Sequence, residues 1–149
     1  MDIVKSVSII FILAVVCGCS EPNSVTPDVV VYTTASRYQT TDTVRVVLSN
    51  GLEDTVSFFH CIGYFSSDVQ WWDGQKWVYI ATYPFCLDDL GDTPPPRLEP
   101  HGSVQLDFRE LTWKSGPAFK TGLLRLVYSY WSDHHPRRSI YSNAFSIVE

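Results

Sequence analysis

Residues 69–80 have the sequence Val-Gln-Trp-Trp-Asp-Gly-Gln-Lys-Trp-Val-Tyr-Ile, in which two strand-like runs flank an Asp-Gly pair. Both runs are rich in aromatic and β-branched residues, a composition typical of β-strands. Asp73-Gly74 supplies the positive φ angles that a two-residue type I′ turn requires. This stretch therefore predicts an antiparallel hairpin.

Further strand-like segments lie on both sides of the hairpin and are separated by turn residues. In one of them Val44, Val46 and Leu48 alternate with Arg45 and Val47, the period of two that marks a half-buried strand. Beyond residue 20 we find no helical periodicity. The pattern predicts an all-β domain, an antiparallel β-sandwich of about seven to nine strands. The predicted strands outside the hairpin span residues 29–34, 42–48, 55–62, 103–108, 123–131 and 141–148.

Five short motifs follow one another along these segments. They occupy residues 42–50, 74–77, 98–103, 122–126 and 143–147. In this order they resemble the immunoglobulin-like domains of bacterial extracytoplasmic proteins. The resemblance implies an immunoglobulin-like β-sandwich over residues 28–149 and a non-enzymatic role. It transfers a fold rather than a binding site.

The N-terminal segment has the features of an export signal. Lys5 precedes an apolar run over residues 6–16, and small residues follow that run. The end of the segment, Val16-Cys17-Gly18-Cys19, resembles the lipobox of bacterial lipoproteins. A plain secretory signal is the main alternative. A transmembrane helix is less favoured, because it needs about 20 apolar residues and the apolar run covers only residues 6–16.

The lipobox resemblance implies cleavage after Gly18 and acylation of Cys19. Residues 1–18 are then a lipoprotein signal peptide, and residues 19–27 are a lipidated cysteine and a polar tether. These features predict a domain anchored to a membrane by lipid, outside the cytoplasm, in a bacterial cell envelope. Ser20 follows the modified cysteine, which favours the outer membrane if the host has two membranes.

Charge and composition limit the classes of partner. The formal net charge is −5, and the sequence contains no polybasic stripe. We therefore predict no nucleic-acid partner. Five Trp and eight Tyr residues favour a packed sheet protein over a disordered one.

The aromatic residues of the hairpin region are the candidate ligand platform. Trp71, Trp72, Trp77 and Tyr83 would stack on sugar rings or anchor a protein partner if they faced outward. The alternative is that these rings cover a sheet face beneath the proline-rich segment that follows. The sequence leaves both interpretations open.

No catalytic motif is present, and we predict that the domain is not an enzyme and has neither a cofactor nor a metal site. Asp133, His134 and His135 form a cluster that suggests a metal, but Pro136 beside them indicates an exposed loop. Asp88, Asp89 and Asp92 could bind a hard cation, but an acidic surface turn is the preferred interpretation. The predicted function is a non-catalytic binding or scaffolding module of the cell envelope, with an unknown protein or glycan partner. The alternatives are a carbohydrate-binding module and a protease-inhibitor-like domain.

Cys61 and Cys86 remain as an even pair after signal cleavage and lipidation of Cys19. In an oxidising compartment such a pair is expected to form a disulfide. Closing a loop of about 25 residues would stabilise the fold by about 3 kcal/mol in the chain-entropy model. Mass spectrometry of non-reduced digests should find one peptide that joins Cys61 to Cys86, and two free thiols would contradict this prediction.

Overall fold

The computed structural model describes residues 28–83, 93–108 and 121–149. All regular secondary structure in these ranges is β-strand, which confirms the predicted all-β class. No helix in the described ranges is long and apolar enough to cross a membrane. The strands are β1 (Val29–Thr33), β2 (Arg37–Gln39), β3 (Val44–Asn50), β4 (Val56–Phe58), β5 (His60–Cys61), β6 (Tyr64–Phe65), β7 (Ser67–Trp72), β8 (Trp77–Tyr83), β9 (Arg97–Leu98), β10 (Ser103–Phe108), β11 (Gly122–Trp131), β12 (Arg138–Tyr141) and β13 (Phe145–Val148).

A three-stranded antiparallel sheet has the order β1-β3-β10. In its register Leu48 of β3 lies opposite Val31 on one side and opposite Val104 on the other. The alternation that the sequence shows in β3 is realised, because Val44, Val46 and Leu48 are all buried. This sheet therefore places one apolar face inward.

The larger sheet is built around β11, the longest strand. On one side β11 pairs with β7 and, near its end, with β4. On the other side it pairs with β12 and β13, and β13 pairs in parallel with β2. The edge next to β7 is formed by β8, the second strand of the predicted hairpin.

The two sheets share one hydrophobic core. Val46 and Leu48 of the small sheet and Leu124 and Leu126 of the large sheet are fully buried in the same cluster. Burying a side chain of this size stabilises the fold by about 1.5–3 kcal/mol relative to leaving it exposed. The packing of one sheet on the other is therefore the main source of stability visible in the described residues.

The hairpin is present, but its turn differs from the prediction. Trp72 pairs with Trp77, so the connection between the strands has four residues. Gly74 has a positive φ of 101°, whereas Asp73 does not adopt a positive φ. Instead the Asp73 carboxylate accepts hydrogen bonds of 2.8 Å from the backbone N–H groups of Gln75 and Lys76. These bonds lower the pKa of Asp73 and stabilise the turn in its charged form.

The strand predicted over residues 55–62 is interrupted. After β4 the chain leaves the sheet as a small hairpin, β5 and β6, and re-enters where Ser66 N–H donates to Phe59 O. The turn of this small hairpin contains Ile62 and Gly63, both with positive φ. Interruptions of this kind explain why the described strands are more numerous and shorter than predicted.

Two tyrosines on β11 differ in how their hydroxyl groups are satisfied. Tyr130 Oη donates a 3.0 Å hydrogen bond to the Asp28 carboxylate. The Tyr128 hydroxyl is buried opposite Ser67, whose hydroxyl is its nearest polar neighbour, and neither group completes a well-formed hydrogen bond within the described ranges. Burial raises the pKa of Tyr128 well above its ordinary value.

Replacing each tyrosine by phenylalanine should therefore have different effects on the free energy of unfolding. Tyr130→Phe should lower it by about 1–2 kcal/mol, because a bond to a charged acceptor is lost. Tyr128→Phe should leave it unchanged or raise it by up to about 1 kcal/mol, because an unsatisfied hydroxyl is removed. Urea unfolding at pH 7 measures both. A larger loss for Tyr128→Phe than for Tyr130→Phe would contradict this assignment.

The same burial predicts a pH dependence. Below the ordinary tyrosine pKa of 10.0 the Tyr128 hydroxyl is protonated in the folded and unfolded states, so its contribution is fully present. Above that pH only the unfolded state releases the proton, and stability falls. Tyr128→Phe should therefore show a shallower loss of stability between neutral and alkaline pH than the wild type.

Candidate functional site

The outward side of the large sheet carries a cluster of aromatic residues around an arginine. Because neighbouring side chains on a strand point to opposite faces, the residues between the buried positions of β11 lie outside. Register then sets Arg125 opposite Gln70, Gln70 opposite Tyr79, and Trp72 opposite Trp77. We call this cluster the outer aromatic face; it consists of Gln70, Trp72, Trp77, Tyr79, Arg125 and Tyr141.

Arg125 lies at the centre of the outer aromatic face. Its guanidinium carbon lies 4.4 Å from the ring centroid of Trp77 and 4.4 Å from that of Tyr141. Its Nε–H donates a 2.8 Å hydrogen bond to Gln70 Oε1. Two cation–π contacts and a hydrogen bond therefore hold the guanidinium in a single position.

The other aromatic rings of the face lie partly exposed beside this arginine. The rings of Trp72 and Trp77 meet edge to face, with centroids 5.4 Å apart. Tyr79 and Tyr141 are 57% and 53% exposed, which is high for aromatic side chains. Large exposed aromatics beside an arginine are the composition of binding hot spots.

A chain of polar groups borders the face. The Tyr79 hydroxyl lies 3.0 Å from Thr82 Oγ1, which donates a 2.7 Å hydrogen bond to Asp68 Oδ1. Hydroxyl and carboxylate oxygens therefore lie directly beside the aromatic rings. The surface offers stacking and hydrogen bonding together.

The structure separates the four residues of the predicted platform. Trp72 and Trp77 belong to the outer aromatic face, whereas Trp71 packs against the core and its Nε1–H donates to Thr121 O. Tyr83 also packs against the core, where its ring centroid lies 4.6 Å from that of Phe108. Two of the four predicted residues therefore lie on the outer aromatic face, and their role as a ligand platform stays a prediction.

A β-bulge explains the position of Tyr83. The register shifts between Val69 and Gln70, so Tyr79 pairs with Gln70 while Ala81 pairs with Val69. One extra residue on β8 moves every later side chain to the opposite face. Without the bulge, Tyr83 would lie on the same face as Tyr79.

Sequence reasoning did not identify Arg125, Gln70 and Tyr141 as partners of the tryptophans. The available signal was the alternation of β11, where Arg125 interrupts a run of apolar residues. The register that brings Tyr141 to the same place joins strands far apart in the chain, and the sequence does not specify it.

The histidine cluster contacts a carboxylate on a neighbouring loop. His134 Nδ1 lies 3.1 Å from Asp54 Oδ1, and His135 Nε2 lies 3.7 Å from Asp54 Oδ2. Asp133 between β11 and these histidines is exposed. Among the described residues, no group of three or more His, Cys, Asp or Glu side chains is placed to hold a metal ion. We assign this cluster to loop–loop contact.

The other predicted site residues lie partly outside the described ranges. Cys61 is buried, with 4% exposure, next to the small hairpin turn. Cys86, Cys19 and the predicted signal peptide and tether fall outside the described residues. The disulfide and the lipid attachment therefore stay predictions.

Removing the Arg125 side chain should destabilise the domain. Arg125→Ala loses two cation–π contacts, the bond to Gln70 and the packing of the stem, for an expected loss of about 1–2 kcal/mol. Arg45→Ala is the matched control, because Arg45 makes an exposed 4.0 Å ion pair with Asp107. Such a pair contributes about 0–0.5 kcal/mol. Equal losses in thermal or urea unfolding would contradict the central position of Arg125.

Comparisons with known proteins identify no family. No protein-family model matches the chain, and no curated protein matches it. The described residues form an all-β domain with several antiparallel sheets.

Proposed function

We propose that this chain is a non-catalytic binding module of a bacterial cell envelope, and that it engages its partner through the outer aromatic face. The observation that carries the proposal is the guanidinium of Arg125 between Trp77 and Tyr141 on an exposed sheet surface. A rigid group loses little conformational entropy on binding. Trp, Tyr and Arg are also the residues enriched at binding hot spots.

We further propose that the domain is an immunoglobulin-like β-sandwich. In that fold the first, second, fourth and fifth strands share one sheet, and the third, sixth and seventh share the other. The order β1-β3-β10 matches the first, second and fifth strands, and the neighbours β7, β11 and β13 match the second sheet. The common core of the two sheets supports the same assignment.

A lipid anchor at Cys19 would place this module at a membrane surface outside the cytoplasm. The tether between Cys19 and the start of β1 spans about nine residues, which reach about 30 Å when extended. The domain would therefore act within a short distance of the bilayer. The outer membrane is the proposed site in a host with two membranes.

We propose no catalytic role, because recognition by the outer aromatic face would need neither a nucleophile nor an acid–base pair. Its central group is an arginine, which stays protonated at physiological pH. The groups in contact with it are aromatic rings and a neutral amide, and the Asp68 carboxylate at the border of the face is hydrogen-bonded to Thr82. This set suits recognition.

Binding should depend on the outer aromatic face and not on the opposite sheet. The full mature lipoprotein is incubated in detergent with envelope extract and then recovered. The envelope components retained by the lipoprotein are quantified by mass spectrometry. Tyr141→Ala and Trp72→Ala should reduce retention of the specific component by about tenfold or more, as hot-spot truncations do.

Tyr32→Ala is the matched control, because Tyr32 is a similarly exposed tyrosine, at 46%, on β1 of the other sheet. It should leave retention unchanged. Loss of retention in Tyr32→Ala alone would move the binding surface to the small sheet. Incorporation of labelled palmitate that is lost in Cys19→Ser tests the anchor separately, and no incorporation in the wild type would reject it.

A further inference from the structure

Arg125 has hydrogen-bonding capacity that the protein does not use. A guanidinium has five N–H donors, and only Nε–H is bonded, to Gln70. Within residues 28–83, 93–108 and 121–149, its two Nη groups form no hydrogen bond and no ion pair. The rings of Trp77 and Tyr141 each lie 4.4 Å from the guanidinium carbon, and their strands are on opposite sides of β11. The contacts with these rings leave the Nη donors without a hydrogen-bond acceptor in the described ranges.

Within the described ranges, no carboxylate lies at ion-pair distance from the positive charge of Arg125. Arg45 on the opposite sheet has Asp107 as its partner, whereas no described carboxylate pairs with Arg125. Asp68 lies on the same face, but it accepts the hydrogen bond from Thr82. A planar fork of N–H donors matches the two oxygens of a carboxylate. The face is therefore complementary to an acidic group.

The surroundings of Arg125 favour a sugar over a peptide as the molecule that carries the acidic group. β11 is paired on both sides. In the segment between β12 and β13, Leu126 N–H donates to Ser142 Oγ and Ser142 N–H donates to Leu126 O. The backbone beside Arg125 is thus already paired, and within the described ranges an added strand could pair only at an outer strand such as β8, two strands away from Arg125. What the face offers is ring surface from Trp72 and Tyr79 and a border of hydroxyl and carboxylate oxygens. Rings stack on the apolar side of sugars, and the oxygens accept bonds from sugar hydroxyls.

We propose that the outer aromatic face binds a carboxylated polysaccharide, with the Arg125 fork on a sugar carboxylate and the neighbouring rings against the sugar units. This inference rests on the proposed function, because it names the ligand class of the same face. It makes Arg125 the residue that selects acidic over neutral sugars.

The test measures binding of the full mature lipoprotein in detergent to three carboxylated polysaccharides: polygalacturonate, alginate and hyaluronate. Methyl-esterified polygalacturonate is the neutral control, and poly-glutamate is the acidic peptide control. Arg125→Gln should weaken binding by about tenfold or more, the effect of losing a charge-assisted fork. Arg125→Lys should also weaken it, because an ammonium retains the charge but lacks the planar donors.

Arg45→Gln is the matched control, since it removes the same charge from the other sheet, and it should leave binding within about twofold. Circular dichroism verifies that each variant is folded. Binding to none of the three acidic polysaccharides, or binding that Arg125→Gln leaves unchanged, would overturn the inference. Equal or tighter Arg125-dependent binding of poly-glutamate would assign the face to an acidic peptide and overturn the sugar class.

The two proposals fail in different ways. If Tyr141→Ala abolishes retention of an envelope component while no polysaccharide binds, the ligand class is wrong and the binding role stands. If neither experiment responds to changes on this face, the proposed function is also wrong.

Discussion

The alternation of side chains along β11 is the constraint on which the rest of the structure depends. Leu124, Leu126, Tyr128 and Tyr130 point into the core shared by the two sheets. The intervening Arg125 is thereby held on the outside. Because β11 pairs on both sides, it cannot shift by one residue without exposing the apolar set and burying the arginine.

The candidate site follows from that constraint through register. Gln70, Trp77 and Tyr141 come from three different strands, and each reaches Arg125 only because its strand pairs in one alignment. Fold stability and the geometry of the outer aromatic face are thus coupled on this sheet, since the residues that contact Arg125 come from the paired strands β7, β8 and β12. A binding surface on paired strands is more rigid than one on loops.

Local patterns in the sequence predict much of the fold and only part of the site. Period-two alternation and turn residues locate the hairpin and most strands, because both signals act between near neighbours. The bulge that turns Tyr83 inward has no local signal in the sequence. The adjacent Trp71 and Trp72 are expected on opposite faces of a strand, but the sequence does not specify which of them lies on the outer face. The contact of Tyr141 with Arg125 depends on long-range pairing. Non-local register is what sequence reasoning lacks here.

Hydrogen exchange of the β11 backbone amides tests the account most directly. β11 is paired on both sides in the large sheet, so the hydrogen bonds of its amides from Leu124 to Tyr130 should break only with global unfolding. These amides should therefore exchange more slowly than those of β8, the outer strand next to β7. Exchange of these amides as fast as those of the 51–55 loop would contradict the account, because neither the core alternation nor the position of Arg125 would then be fixed.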